Sequence, residues 1–402
     1  MKVKENYVNV IPMKEIRSTD DLLFPFPIYN ELRAQTGIRY DETRKCWDLF
    51  RYADIQSVLK QPKLFSSQRG RSTSKTSILT MDPPKHTKMR ALVNKAFTPK
   101  AIKQLEEKIK DLSHDLLKQV EHEHTFDVVH DLAAPLPVMI IAELLGAEVK
   151  DRQFIKKHSD ALVAGAKDES QEAIQAVVDM QKRAEEELSD YFLHLIQKRT
   201  EAPANDLISL LIQAEIDGEQ LTENELLGFC ILLLVAGNET TTNLITNTVR
   251  LLTEQPDIVE AVREDSSLIP QLTEETLRYY PPVQAIGRIA TQNVEIAGQQ
   301  IQKGDYLIGW IASANRDEQK FEDPETFRLD RKSNPHMSFG FGIHFCLGAP
   351  LARLESNIAI EILLNTFKEF KCTADSLKPI QSTFVFGVKE FPVQVLRSEG
   401  RS

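Results

Sequence analysis

The 402-residue chain is 42 % hydrophobic and 27 % charged, with 16 Gly and 19 Pro, a balance that excludes collagen-like, low-complexity and largely disordered chains. Its 59 acidic residues against 49 basic ones leave a net charge of −10, which argues against a nucleic-acid partner. Four cysteines, Cys46, Cys230, Cys346 and Cys372, form neither a CxxC pair nor a disulfide framework, so a reducing cytoplasm fits best.

Residues 1–20 are interrupted by charge, lack the ~7–15-residue apolar stretch of a secretory signal and are expected to be loosely held. Residues 21–397 contain no repeat, flexible linker or composition break and read as a single large domain. The longest uncharged apolar runs, Leu132–Ala142 and Phe229–Gly237, are shorter than the ~18–20 residues of a membrane helix, so no membrane anchor is expected.

Segments rich in β-branched and aromatic residues read as short strands: Gly37–Tyr40, Cys46–Phe50, Val294–Ile296, Tyr306–Trp310, Phe384–Val388 and Pro392–Leu396. After Asp82-Pro83-Pro84, His86 and Arg90 stand one turn apart on the same side of a helix start. The Pro-free tract from Val138 to Ala202 carries apolar residues at helical spacing and predicts long helices. A further helix opens at Thr222-Glu223-Asn224-Glu225, a capping-box pattern, and runs to about Leu252, spanning ~46 Å. The expected fold is mainly α with a minor β portion.

Polar residues interrupt the apolar stripe of that long helix at Ala236-Gly237-Asn238-Glu239-Thr240-Thr241. A buried carboxylate is costly unless it serves something or reaches solvent; Gly237 lets a ligand approach the backbone, and the Thr240 hydroxyl can turn to a bound oxygen or water. In isolation the stretch also reads as a polar turn on a surface helix. Glu275 and Arg278 share a face of a predicted helix from Leu268 to Tyr279.

The most informative stretch is Phe339-Gly340-Phe341-Gly342-Ile343-His344-Phe345-Cys346-Leu347-Gly348-Ala349-Pro350, followed by a helical pattern to about Phe367. Two glycines permit a tight loop, and at a helix start the backbone N–H groups favour thiolate over thiol. A thiolate is a strong metal ligand. With no second cysteine nearby, the metal takes its other ligands from elsewhere, as iron in a porphyrin does.

This loop resembles the haem-binding FGxGxHxCxG signature of the cytochrome P450 superfamily at every specified position, and the resemblance covers nearly the whole chain, from about Phe24 to Val395. It implies the superfamily's fold, a single domain with a long central helix over haem b (iron protoporphyrin IX), and Cys346 as the axial iron ligand. It further implies His86, Arg90, Arg288 and His344 as partners of the haem propionates, with Phe339, Gly340, Ala236 and Gly237 beside the cofactor. Glu239 and Thr240 match the acid-alcohol pair associated with proton delivery in oxygen activation. Glu275 and Arg278 match the ExxR ion pair, which is structural. Its usual third member is an arginine in a PERF-like segment, but Thr326 stands there; Arg328 or Arg331 are the candidate substitutes.

The resemblance therefore implies a soluble, cytoplasmic, monomeric monooxygenase of the bacterial type. It would hydroxylate an apolar molecule of the fatty-acid, steroid or terpenoid class with O2 as co-substrate. Electrons would come from a separate ferredoxin or flavodoxin with its NAD(P)H-dependent reductase, and Lys85, Lys88 and Lys95 are candidates for attracting such an acidic protein. Expected pocket residues are the loop from Ser72 to Leu79, Leu232 and Val235, Val283 and Ala285, and Val385 with Phe386. Alternatives are a thiolate-haem peroxygenase or isomerase, a non-catalytic haem sensor, and, least in keeping with the motif, a thiol hydrolase using Cys346 and His344.

Overall fold

The computed structural model describes residues 13–69, 77–163, 171–216, 218–382 and 384–397. Helices dominate. The longest, Glu223–Glu254, starts where Thr222 and Glu225 cap each other reciprocally. It packs against the helices Pro135–Leu145, Arg152–Val163, Gln171–Glu201, Ile269–Tyr279 and Ala349–Thr366, so its middle lies inside the main apolar core. The segments Val128–Leu145 and Glu223–Glu254 are each long and apolar enough to cross a membrane by length and composition, which the count of uninterrupted apolar runs missed; 72 % and 56 % of their most apolar windows are buried within the protein.

A five-stranded sheet runs in the order Ile38–Asp41, Cys46–Leu49, Tyr306–Gly309, Ile286–Ala290, Phe65–Ser66. Its single parallel pairing sets Tyr306 beside Cys46, and the antiparallel pairing of Leu307 with Arg288 fixes the arginine's strand between Tyr306–Gly309 and Phe65–Ser66. A smaller apolar cluster fills the space between this sheet and the helix Tyr52–Lys60. Phe367–Cys372, Pro392–Arg397 and Thr125–Asp127 form a second sheet.

Two expectations are corrected here. Residues 1–12 lie outside the described residues, but from Met13 onward the N-terminal segment is anchored: Met13 is buried, Glu15 bonds Arg39 at 2.7 Å, and Ser18 caps the helix Thr19–Leu23. Phe384–Val388 is no strand. Val385 and Val388 make isolated bridges to Val283 and Pro379, and the segment lies against the long helix, where Asn247 Nδ2 donates to the Phe386 carbonyl and Asn243 fills the space beside Gly387.

Candidate active site

Positive φ at Gly340 (74°) and Gly342 (72°) bends the loop before Cys346. A Cβ on Gly342 would sit 2.7 Å from the Leu59 carbonyl oxygen, so the loop presses on the end of the helix Tyr52–Lys60. The Cys346 amide closes the loop by donating to the Phe339 carbonyl at 2.8 Å. The Phe339 ring is covered by the Arg353 guanidinium, 4.5 Å from its centroid, and Arg353 is held by Glu274.

Cys346 itself is exposed, yet desolvation by the atoms crowded around it pushes its thiol pKa up. Against that act the Gly348 and Ala349 amides at the start of the helix Ala349–Thr366, which donate to the sulfur, and the charges of Arg90 and Arg353. The sulfur therefore has a built-in donor set for negative charge.

Around it the chain gathers cations. His86, on the helix Lys85–Ala96, is 2 % exposed, and neither Nδ1 nor Nε2 has a hydrogen-bond partner. Its ring lies 4.1 Å from that of His344, whose Nε2 is 2.9 Å from Ser67 Oγ. Arg288 is buried, with one guanidinium bond of 2.8 Å to the Gly287 carbonyl. Burial holds all four groups below their ordinary pKa values: His344 falls to about 3 and Arg288 to about 10, with mutual repulsion among His86, Arg69, Arg90 and Arg288 contributing. The nearby carboxylate is Asp82, occupied by Ser66 Oγ and the Ser67 amide. Buried arginine charge, with neutral imidazoles and orphaned ring nitrogens beside it, is relieved by an anionic ligand that supplies carboxylates. This donor set, a thiol flanked by backbone amides and a group of basic side chains around it, fits a haem.

The sequence reading missed Arg69 and Ser67. Arg69 bonds Tyr306 and lies close enough to Arg288 and His344 to shift both, but no local motif marks it.

In the middle of the long helix, residues 231–233, 235–237, 239 and 240 all keep some access to solvent; among them Leu232, Val235, Ala236, Glu239 and Thr240 share one face at three-to-four-residue spacing. Burial raises the Glu239 pKa. The Thr240 hydroxyl donates to the Ala236 carbonyl at 2.7 Å. A Cβ at Gly237 would meet Ile141 Cδ1 at 2.5 Å, so the missing side chain also eases the packing of two helices.

The pocket expectations divide. Val283 and Val385 are bridged to each other and half-buried, whereas Ala285 and Phe386 belong to the core, Phe386 packing against Phe26 and Tyr280. Leu79 is exposed, and Ser72 lies outside the described residues.

Glu275 and Arg278, 1 % and 0 % exposed, form a bidentate pair at 2.7 and 2.9 Å. Arg331 is the third partner, its Nε 2.8 Å from Glu275 Oε1. Arg328 contributes only its backbone amide, its side chain going to Asp330 and Asp323. Lys85 and Lys88 pair with Glu225 and Glu219, whereas Lys95 donates to the neutral Glu215 carbonyl, so the first two of these charges are balanced within the chain.

A family model described as Cytochrome P450 matches residues 40–397. The chain is 58 % identical over 394 residues to Cytochrome P450 109 of Bacillus spizizenii, covering 98 % of this chain and 97 % of that one. Substrate-free CYP109E1 from Bacillus megaterium superposes with a TM-score of 0.91 at 44 % identity, covering 94 % of this chain and all of that one, 100 %. The complex of CYP109E1 with corticosterone superposes at 0.88, with 44 % identity over 93 % and 99 % of the two chains, and a testosterone complex at 0.86, with 44 % identity over 92 % and 99 %. With Cys346 at the start of its helix and buried basic groups beside it, the chain belongs to the cytochrome P450 superfamily, within the bacterial CYP109 family.

Proposed function

We propose that this chain is a cytoplasmic haem-thiolate monooxygenase, acting as one domain over residues 21–397, that hydroxylates an apolar molecule of the steroid class. Electrons come from a separate ferredoxin or flavodoxin served by an NAD(P)H-dependent reductase. The observation that carries this reading is the convergence of Cys346 and its amide donors with His86, Arg90, Arg288 and His344. Steroid binding by CYP109E1 favours that class over fatty acids and terpenoids.

When bound, a thiolate-ligated haem supplies dioxygen activation and oxygen insertion into a C–H bond. Cys346 holds negative charge at Sγ, aided by the Gly348 and Ala349 amides. The arginines hold the carboxylates and orient the ring. Leu232, Val235, Val283 and Val385 exclude water and receive an apolar skeleton. Glu239, its carboxyl biased toward the protonated form by burial, stores a proton beside Thr240, whose hydroxyl relays it after leaving the Ala236 carbonyl. The balance is R–H, O2, two electrons and two protons to R–OH and water.

The test is a titration of the purified holoenzyme with corticosterone and testosterone, following the haem spin state, and then turnover with NAD(P)H, reductase and ferredoxin. A spin shift and a hydroxylated steroid are expected. Equal turnover with peroxide alone and none with the electron-transfer proteins would overturn the assignment in favour of a peroxygenase.

A further inference from the structure

Asn238 stands immediately before Glu239, inside an apolar helix interface, and is 3 % exposed. Its Nδ2 donates to Ser159 Oγ at 3.3 Å, and its Oδ1 accepts from Thr242 Oγ1 at 3.3 Å. The Thr242 hydroxyl also lies 3.1 Å from the Ala133 carbonyl, and Ser159 is fully buried. The carboxamide thus ties the long helix to the helix Arg152–Val163, and Thr242, whose one hydroxyl proton is shared between Asn238 Oδ1 and the Ala133 carbonyl, reaches the π-helical segment Val128–Ala133.

A carboxamide in such a place is a liability. Unbonded, it costs roughly 1–3 kcal/mol, and a leucine of similar volume fills the space without that risk. What leucine lacks is direction. We propose that Asn238 is a positioning residue: through Ser159 it ties the helix Arg152–Val163 to the turn carrying Glu239 and Thr240, so that the lie of that helix sets where the acid-alcohol pair points.

The neighbouring contacts give this tether leverage. The helix Arg152–Val163 is fastened to the helix Gln171–Glu201 by His158 Nε2 on Glu187 at 2.7 Å and by the Phe154 and Tyr191 rings, with Tyr191 also bonded to Asp151. Displacement of that pair is transmitted to Asn238. On the long helix Gly237 abuts Ile141, which limits movement of the turn toward the helix Pro135–Leu145. Both Asn238 bonds, at 3.3 Å, are slightly longer than ordinary hydrogen bonds, so the tether is soft and biases the turn rather than locking it.

The inference rests on the monooxygenase reading, and its test separates the two. Ser159→Ala, Asn238→Leu, the double variant and Ser159→Thr are compared as holoenzymes. Amide hydrogen exchange over residues 236–242 is measured without substrate, and hydroxylated steroid per NAD(P)H with the redox proteins. Ser159→Ala is expected to speed local exchange about twofold, as loss of a hydrogen bond at the weak end of the usual range implies, and to lower the product yield. The double variant is expected to match Asn238→Leu, and Ser159→Thr to behave as the parent. Unchanged exchange and yield in Ser159→Ala overturn the tether, and that variant decides if Asn238→Leu fails to fold. Absence of any hydroxylated steroid from the parent enzyme overturns the function, while the exchange arm still decides the tether.

Discussion

The rings of His86 and His344 lie 4.1 Å apart, centroid to centroid, brought together from a helix start and from the cysteine loop. Two imidazoles in contact, both with pKa values lowered by burial, sit beside Arg90 and Arg288, and among the described residues Asp82 is the carboxylate that acts on His86 and Arg288. The chemistry of this basic cleft suits carboxylates, which supports the proposed cofactor contacts independently of the cysteine motif.

Loss of one of these donors should accelerate cofactor release. Hydrogen bonds to charged groups contribute about 1.5–3 kcal/mol, so Arg288→Gln is expected to release haem to a scavenging apo-globin roughly 10–100-fold faster than the parent. Lys88→Gln, on the exposed face of the His86 helix and paired with Glu219, is expected to release it at the parental rate. Equal rates for the two variants would remove Arg288 from the cofactor site.

The cysteine loop should be intolerant at Gly342 for two separable reasons. A left-handed φ costs a side chain roughly 1–2 kcal/mol, and here the added Cβ also meets the Leu59 carbonyl. Gly298, with φ 79° and open space around it, carries only the first penalty. Denaturant unfolding of Gly342→Ala should therefore show a larger loss than Gly298→Ala, together with reduced haem content.

Arg331 and Arg328 should separate cleanly in stability. Removing one partner of a buried ion pair costs about 3–5 kcal/mol, so Arg331→Leu, which strips Glu275 of a buried cation, is expected to lower unfolding stability by an amount near the bottom of that range because Arg278 remains. Arg328→Ala keeps the amide that bonds Glu275 and should leave the urea midpoint unmoved.

Local signals made much of this legible. The capping box at Thr222 marked the start of the long helix to the residue, and FGFGIHFCLG marked the cysteine loop, because both are short-range devices that a few adjacent residues specify completely. Arg69 was invisible because its place beside Arg288 arises from sheet pairing between Phe65–Ser66 and Ile286–Ala290, which no sequence period encodes. The strand Ile286–Ala290 itself lacks alternation: Gly287 and Arg288 are both buried, since a bulky residue at 287 would strike the Tyr306 hydroxyl and Arg288 turns inward. The substitution of Arg331 for the expected third arginine was likewise a choice between neighbours that only the chain path past Pro324 could make. Phe386 looked like a pocket residue because an apolar side chain near a cofactor and one in an aromatic cluster read alike in sequence.

Glu355, on the helix that follows the cysteine, should impose a pH dependence on stability. It is 1 % exposed with Oε2 unpartnered, and burial pushes its carboxyl up to about 8. The folded state then holds a proton that the unfolded state has released above the ordinary value of 4.5. Stability contributed by this proton is complete below pH 4.5 and is lost as the pH rises through about 8, with a slope of up to about 1.4 kcal/mol per pH unit between them. Glu355→Gln stays neutral throughout. Its stability relative to the parent is expected to rise steadily from pH 5 to pH 8 in denaturant titrations; a constant difference across that range would place an unrecognised partner beside the carboxyl.

Thr240 offers the sharpest check on proton delivery. Its hydroxyl bonds the Ala236 carbonyl within its own helix, and it lies on the same partly open face as Glu239, so its Oγ1 is both available and easily redirected. Thr240→Ala removes the hydroxyl without disturbing a tertiary bond, because its only hydrogen bond among the described residues is to its own helix, and the variant should fold and bind steroid as the parent does. Electrons drawn from NAD(P)H should then appear increasingly as hydrogen peroxide, with several-fold less hydroxylated product per electron pair. Thr240→Ser restores the oxygen atom and should recover most of the yield. If Thr240→Ala keeps the parental ratio of product to NAD(P)H, the protons travel by a route that bypasses residue 240, and Glu239 becomes the group whose replacement by glutamine must be measured in its stead.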